Sequence, residues 1–254
     1  MAYSGNQTAL AKKDFLMNDL KMSRWIGLFG LACVIFWLSQ FPLYMAGSPP
    51  SVYDGAAFAQ HLLSIKNIAF TRVLLDQCAY VTMMLFAAGF RQLIKRARPD
   101  HEWVGTLVFG AAVVWFAVTL VADGLEGGAT IDAISGKADA SAVRALIEGT
   151  LLIYNGSTAF VMTALFLGAA GYATCATGVL PSWTGWVAYV GVVMCLVCVP
   201  AMYAGPVDYT QFYNIGGFGP AIIANFPPAL WFLSASISLI AKREVAAPVP
   251  EAEA

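Results

Sequence analysis

Trp103–Ala122 reads WVGTLVFGAAVVWFAVTLVA, 20 residues without a charge. At about 1.5 Å per residue, a helix of this length spans about 30 Å, the thickness of a bilayer's hydrocarbon core. No sustained alternation marks it as a barrel strand. Backbone groups in lipid must be paired internally, which leaves a helix. Outward from this stretch, five more qualify: Trp25–Ala46, Ile68–Phe90, Ala145–Ala173, Trp183–Ala204 and Pro220–Ala241. The expected fold class is all-α, a polytopic membrane bundle of six transmembrane helices. Composition agrees: of 254 residues, 59% are hydrophobic and 11% charged, with mean hydropathy +0.69. A soluble domain carries about 25% charged residues. An ordinary soluble domain and a disordered chain are thereby excluded. A net charge of −1 also lacks the basic footprint of a nucleic-acid binder.

Lys and Arg set the expected orientation. Lys12, Lys13, Lys21 and Arg24 precede the first span, and Arg91, Lys95, Arg96 and Arg98 connect spans 2 and 3. Lys242 and Arg243 follow the last span, while the opposite side has only Lys66, Arg72, Lys137 and Arg144. Both termini are therefore expected in the cytoplasm, with the chain in the plasma (inner) membrane. It divides into a tail over 1–24, a membrane domain over 25–241 and a disordered Ala/Pro/Glu-rich tail over 242–254. A short surface helix is expected near Phe15–Leu20. The first span is read as retained, because its apolar run exceeds a signal-peptide core and Tyr44-Met45-Ala46 is a poor cleavage site.

Ionisable groups inside a membrane are costly and face a cavity or a partner. Here they gather toward the outer leaflet. Span 2 carries Arg72, Asp76 and Tyr80 at i, i+4 and i+8, which permits an Arg72–Asp76 pair. Asp76 lies about 12 Å from the outer end. Span 3 ends at Asp123, with Glu126 just beyond in a loop over Gly124–Gly128. Span 4 is a long helix with Arg144 and Glu148 at its outer end and Asn155 deeper on the Glu148 face. Gln40 and Tyr44 share a face of span 1, and Tyr203 and Asn225 reach the same level. The inner half is dominated by Ala, Val, Leu, Phe and Met. An outward-opening polar pocket is expected, roofed by loops holding Tyr53, Phe58, Tyr209, Phe212 and Tyr213. Snorkelling alternatively leaves Arg144, Glu148, Asp123 and Glu126 in water. Asp76 and Asn155 lie too deep for that.

Other motifs carry less. His61 and His101 fall on opposite sides, so they cannot share a metal or a haem. The carboxylates Asp76, Asp123, Glu126 and Glu148 are the only alternative metal set, and neither metal nor cofactor is expected. Cys195-Leu-Val-Cys198 has redox spacing but no activating charge, and reads as packing. Gly216-Gly217-Phe218-Gly219 lacks phosphate-loop residues and reads as a flexible lead-in to span 6. Asn155-Gly156-Ser157 has the form of a glycosylation sequon but lies within a span. Pro227-Pro228 is expected to kink span 6 and free carbonyls. Gly27, Gly30, Gly105, Gly110, Ala164-x-x-x-Gly168 and Gly185 suit close helix packing.

The stretch Gly178-Val179-Leu180-Pro181-Ser182-Trp183-Thr184-Gly185-Trp186, after the basic connection Arg91–Arg96, resembles a "G-x-L-P-x-W-x-G" turn. That turn leads into the fifth helix of a broad group of uncharacterised bacterial six-helix membrane proteins. The resemblance covers Pro50–Ala201. It implies fold and location, and carries over no catalytic residue.

Three classes of function suit these residues. In the first, Gln40, Tyr44, Arg72, Asp76, Tyr80, Asp123, Glu126, Glu148, Asn155, Tyr203 and Asn225 line a pocket. It binds or transports a small amphiphile, lipid or isoprenoid. In the second, Asp76 or Glu148 acts as a desolvated acid or base in a metal-independent enzyme acting on a lipid-soluble substrate. In the third, the chain is an accessory subunit whose polar outer face meets other membrane subunits or a second copy of itself.

Overall fold

The computed structural model describes residues 3–44 and 49–242, with side chains from Asp19 onward. The helices are α1 (Tyr3–Leu38), α2 (Phe41–Tyr44), α3 (Gly55–Ser64), α4 (Lys66–Ala97), α5 (Glu102–Ile134), α6 (Ala140–Asn155), α7 (Ser157–Thr177), α8 (Ser182–Cys198) and α9 (Phe218–Ile240). No strand occurs among the described residues. Six segments are long and apolar enough to cross a membrane: Asp19–Tyr44, Lys66–Ala97, Pro99–Ile134, Ala140–Thr177, Ser182–Tyr203 and Phe218–Ile240. The protein is a multi-pass membrane helical bundle. The expected tail over 242–254 lies outside the described residues beyond Lys242, as do residues 45–48, where span 1 was expected to end.

Local chemistry sets the helix ends. Asp54 caps α3 by accepting from the Ala57 amide (3.0 Å), and Asp139 caps α6 by accepting from the Ser141 amide (2.8 Å). α4 stops at Arg98, which is extended ahead of Pro99. Gly178 (φ 66°) closes α7 in the left-handed region.

The spans close into a ring. α1 packs on α4 and α9, α4 on α5, α5 on α6 and α7, α7 on α8, and α8 on α9. Small residues permit these approaches. A Cβ added at Gly27 would come 2.8 Å from the Ser236 carbonyl oxygen of α9, and one at Gly185 would come 2.6 Å from Cys175 Sγ of α7.

One end of the ring is basic. Arg96 pairs with Asp19 (2.6 Å), and Lys95 and Arg91 share Glu102 (2.9 and 3.2 Å). Gly27 meets Ile240 near the end of α9, so both ends of the six-span domain lie at this basic end. The ring's interior nearest this end is filled by Phe86, Phe90, Phe166, Trp231 and Phe232, none more than 2% exposed. Their ring centroids lie 5.1–5.9 Å apart, mostly edge to face.

The other end departs from expectation in several ways. Span 3 does not stop at Ala122: α5 runs on to Ile134, through the expected Gly124–Gly128 loop. The glycines weaken a helix by about 1 kcal/mol each. Burial of the Asp123, Glu126, Ala129, Thr130 and Ala133 face against α3 and α6 offsets this. A satellite core of Val52, Phe58, Leu62, Ala129, Ala133, Val143, Ile147 and Val207 joins α3 and the connecting loops to that extension. The long helix expected for span 4 is broken into α6 and α7 at Gly156, which is extended (φ −105°, ψ −170°). At the other terminus no separate surface helix forms near Phe15–Leu20, because α1 runs unbroken from Tyr3.

α9 is helical through Pro227-Pro228. A proline at 228 leaves the Ala224 carbonyl without its i+4 amide. Cys195 Sγ donates to that oxygen at 3.6 Å, so this thiol has a partner as well as a packing role. Gly216–Gly219 is packed rather than loose. The Gly217 amide donates to the Asn214 carbonyl (2.8 Å) and the Gly219 amide to the Phe212 carbonyl (2.9 Å).

Candidate functional site

The polar residues meet inside the ring at the α3 end. Arg72 and Asp76 stand one turn apart on α4, and Asp123 and Glu126 one turn apart on α5. Gln40 lies in the turn between α1 and α2, Tyr44 ends α2, and Tyr154 comes from the end of α6. Gln40 Nε2 donates to Asp76 Oδ1 at 2.6 Å. The Tyr154 hydroxyl lies between Asp76 Oδ2 (3.2 Å) and Asp123 Oδ1, with which it makes a close contact. One hydroxyl has a single proton to donate, so the two carboxyl groups and the phenol form one linked unit.

The Arg72–Asp76 pair permitted by spacing does not form. Arg72 pairs instead with Glu126, and its guanidinium lies over the Tyr44 ring, 4.4 Å from the centroid. An i, i+4 pair points along one helix, whereas the ring interior brings α5 directly opposite. Asp123 and Glu126 are 2% and 6% exposed, so they are not the wet, snorkelling groups that helix-end positions allow. Asp123 Oδ2 has no hydrogen-bond partner among the described residues.

Beside this network is a cavity of about 830 Å³. Of the residues expected to line a pocket, Gln40, Tyr44, Arg72, Asp76, Tyr80, Glu126, Asn155 and Asn225 line it. Asp123 sits behind Tyr154. Two others fall elsewhere. Glu148 is bonded to Arg144 at 3.0 Å, away from the cavity lining. Tyr203 is 80% exposed at the end of the fifth span. The reason is helical phase. The cavity face of α6 is Ile147, Thr150, Leu151 and Tyr154, an i, i+3, i+4, i+7 stripe, and Glu148 points about 100° away from Ile147. Asn155 still reaches the cavity because α6 ends there, and its amide donates to the Ile215 carbonyl at 2.8 Å.

Sequence reading missed Tyr154, and with it Trp37, Trp115, Phe160 and Thr163 of the apolar lining. The signal for Tyr154 was available in the apolar stripe of α6. The signal for the break was the Asn155-Gly156 pair, a common helix interruption.

The connection between α8 and α9 covers one side. Buried Asn214 organises it: its carbonyl oxygen accepts from the Asp208 and Gly216 amides (3.0 and 2.9 Å), and its amide donates to the Pro206 carbonyl (2.8 Å). Burial pushes the cavity-lining Tyr209 phenol up to about 12, so it is a neutral hydroxyl. Burial and the Arg72 guanidinium hold His61, at the α3 edge of the cavity, below the usual imidazole value. Among the described residues, no cluster of three or more His, Cys, Asp or Glu is spaced to hold a metal.

No family model, curated protein or solved structure matches the chain.

Proposed function

We propose that the cavity binds, or passes across one leaflet, a small amphiphile such as a lipid or isoprenoid. The cavity itself carries this reading. Its volume of about 830 Å³ falls within the range of ligand pockets, roughly 300–1,000 Å³. One wall is polar (Gln40, Arg72, Asp76, Glu126) and the remainder is largely aromatic and aliphatic, including Trp37, Trp115 and Phe160. Such a division suits a molecule with one polar end. Phe41 and Phe226, with centroids 5.3 Å apart, stand beside the cavity between α2 and α9, where a tail could pass from the bilayer.

In this reading the basic end, with both termini, is cytoplasmic, and the cavity opens toward the outer face of the plasma (inner) membrane. The positive-inside rule supports that orientation. A fluorescent protein fused to the C-terminus should fold and fluoresce in cells. A dark fusion that becomes a functional reporter only with an exported domain would reverse the orientation.

Native mass spectrometry of protein purified in mild detergent tests the binding. A stoichiometric small molecule is expected on the wild type, and its loss is expected in Asp76→Asn and Asn155→Ala while both remain folded. Equal occupancy in all three would remove the polar wall from the reading.

One observation favours a second reading, acid–base catalysis without a metal. The Asp76–Tyr154–Asp123 unit stands at the cavity wall and can hold or release a proton beside a lipid-soluble substrate. Isomerisation, cyclisation or hydration fits it. Turnover that survives in both Asp76→Asn and Tyr154→Phe would eliminate this reading.

A further inference from the structure

We infer that the polar end of the molecule held in the cavity is a cation of the ammonium class. This rests on the amphiphile reading above and narrows it. The charged groups lining the cavity are Arg72, Asp76 and Glu126, with Asp123 one hydroxyl behind. Three carboxyl groups thus stand around one guanidinium, and that guanidinium is already engaged by Glu126 and by the Tyr44 ring.

Among the described residues, Asp76 has only neutral hydrogen-bond partners, the Gln40 amide and the Tyr154 hydroxyl. Among the described residues, Asp123 has Tyr154 alone, with Oδ2 unpartnered and the residue 2% exposed. His61 offers no compensating charge, because burial and Arg72 keep it neutral at pH 7. A buried carboxylate without a cation is unfavourable. An ammonium entering beside Asp76 supplies the missing charge.

The rings agree with the charges. Tyr80, Tyr154, Trp37 and Trp115 line the same space, and π faces attract ammonium groups, more strongly when desolvated. An anionic head group, such as a phosphate, would meet two lining carboxylates and a guanidinium already paired. A neutral head group would leave Asp76 as it stands.

The test is a tail-matched series offered to the protein in lipid nanodiscs: dodecyltrimethylammonium, dodecanol and dodecyl phosphate. Affinity is read by tryptophan fluorescence and checked by native mass spectrometry. The ammonium compound should bind at least about tenfold more tightly than either of the others. Asp76→Asn should remove most of that advantage. Dodecanol or dodecyl phosphate binding as tightly as the ammonium compound would overturn the cation while leaving the amphiphile reading intact. Failure of all three to bind would overturn the amphiphile reading itself. The wild-type ranking decides the head group on its own, so the result does not depend on the variant folding.

Discussion

Tyr154 joins two carboxyl groups from different helices, Asp76 of α4 and Asp123 of α5. Removing its hydroxyl takes a hydrogen-bond partner from both, a donor from one of them. Tyr154→Phe should cost about 2 kcal/mol of stability, because buried acceptors left unpaired cost about 1–3 kcal/mol. A lowered unfolding midpoint in detergent would show it, and an unchanged midpoint would mean that water replaces the hydroxyl. Arg72 and Glu126 make a sharper case, with side chains 12% and 7% exposed. Arg72→Ala strands Glu126 and should cost about 3–5 kcal/mol. The double change Arg72→Met with Glu126→Leu should recover most of that loss, because no buried charge is then left alone. A double variant as unstable as Arg72→Ala would contradict an isolated pair and point to a wider network.

At the scale of elements, two glycines with similar sequence surroundings behave oppositely. Gly156 breaks span 4, and a Cβ there would come 2.1 Å from the Leu152 carbonyl oxygen. Gly156→Ala should therefore straighten or misfold the α6–α7 junction, with a clear fall in unfolding midpoint and in folded yield. Gly124 lies within α5 with nothing inside 4 Å of an added Cβ. Gly124→Ala should be neutral or stabilise by about 0.5–1 kcal/mol, the helix-propensity difference. Circular-dichroism melts of the two variants side by side separate the roles. Equal effects would mean that the break is not set by backbone conformation. Gly-Leu-Glu-Gly-Gly read as a loop because local propensity favours one there, but the buried Glu126 face of α5 outweighs it.

At the scale of the whole molecule, the ring has two unlike halves. Toward the basic end it is packed by rings around Trp231, and toward the α3 end it holds charge and empty volume. Packing suits the first half to rigidity, and the binding proposed above falls to the second. Folding is also linked to pH through His61 at the edge of the cavity. Its folded value is lowered by burial and by Arg72, so below its unfolded value, about 6.5, the unfolded chain binds more protons than the folded one. Stability contributed by the neutral ring is present above that value and is lost as pH falls through the window below it. The unfolding midpoint of the wild type should therefore drop more between pH 7 and pH 5 than that of His61→Gln. Parallel curves would remove His61 as a contributor.

The sequence by itself determined the number of spans, their approximate limits and the gathering of polar residues toward one end. Those are properties of composition over about 20 residues, and lipid enforces them locally through hydrogen-bond closure and the cost of buried charge. It also singled out Asp76 and Asn155, because polar residues deep in a span need a partner. Only the tertiary structure decided which partners meet. Neighbours on one helix compete with residues on facing helices, and each residue along a helix turns its side chain by about 100°. A one-residue difference in phase put Tyr154 inside and Glu148 outside, and the approach of α5 drew Arg72 to Glu126 instead of Asp76.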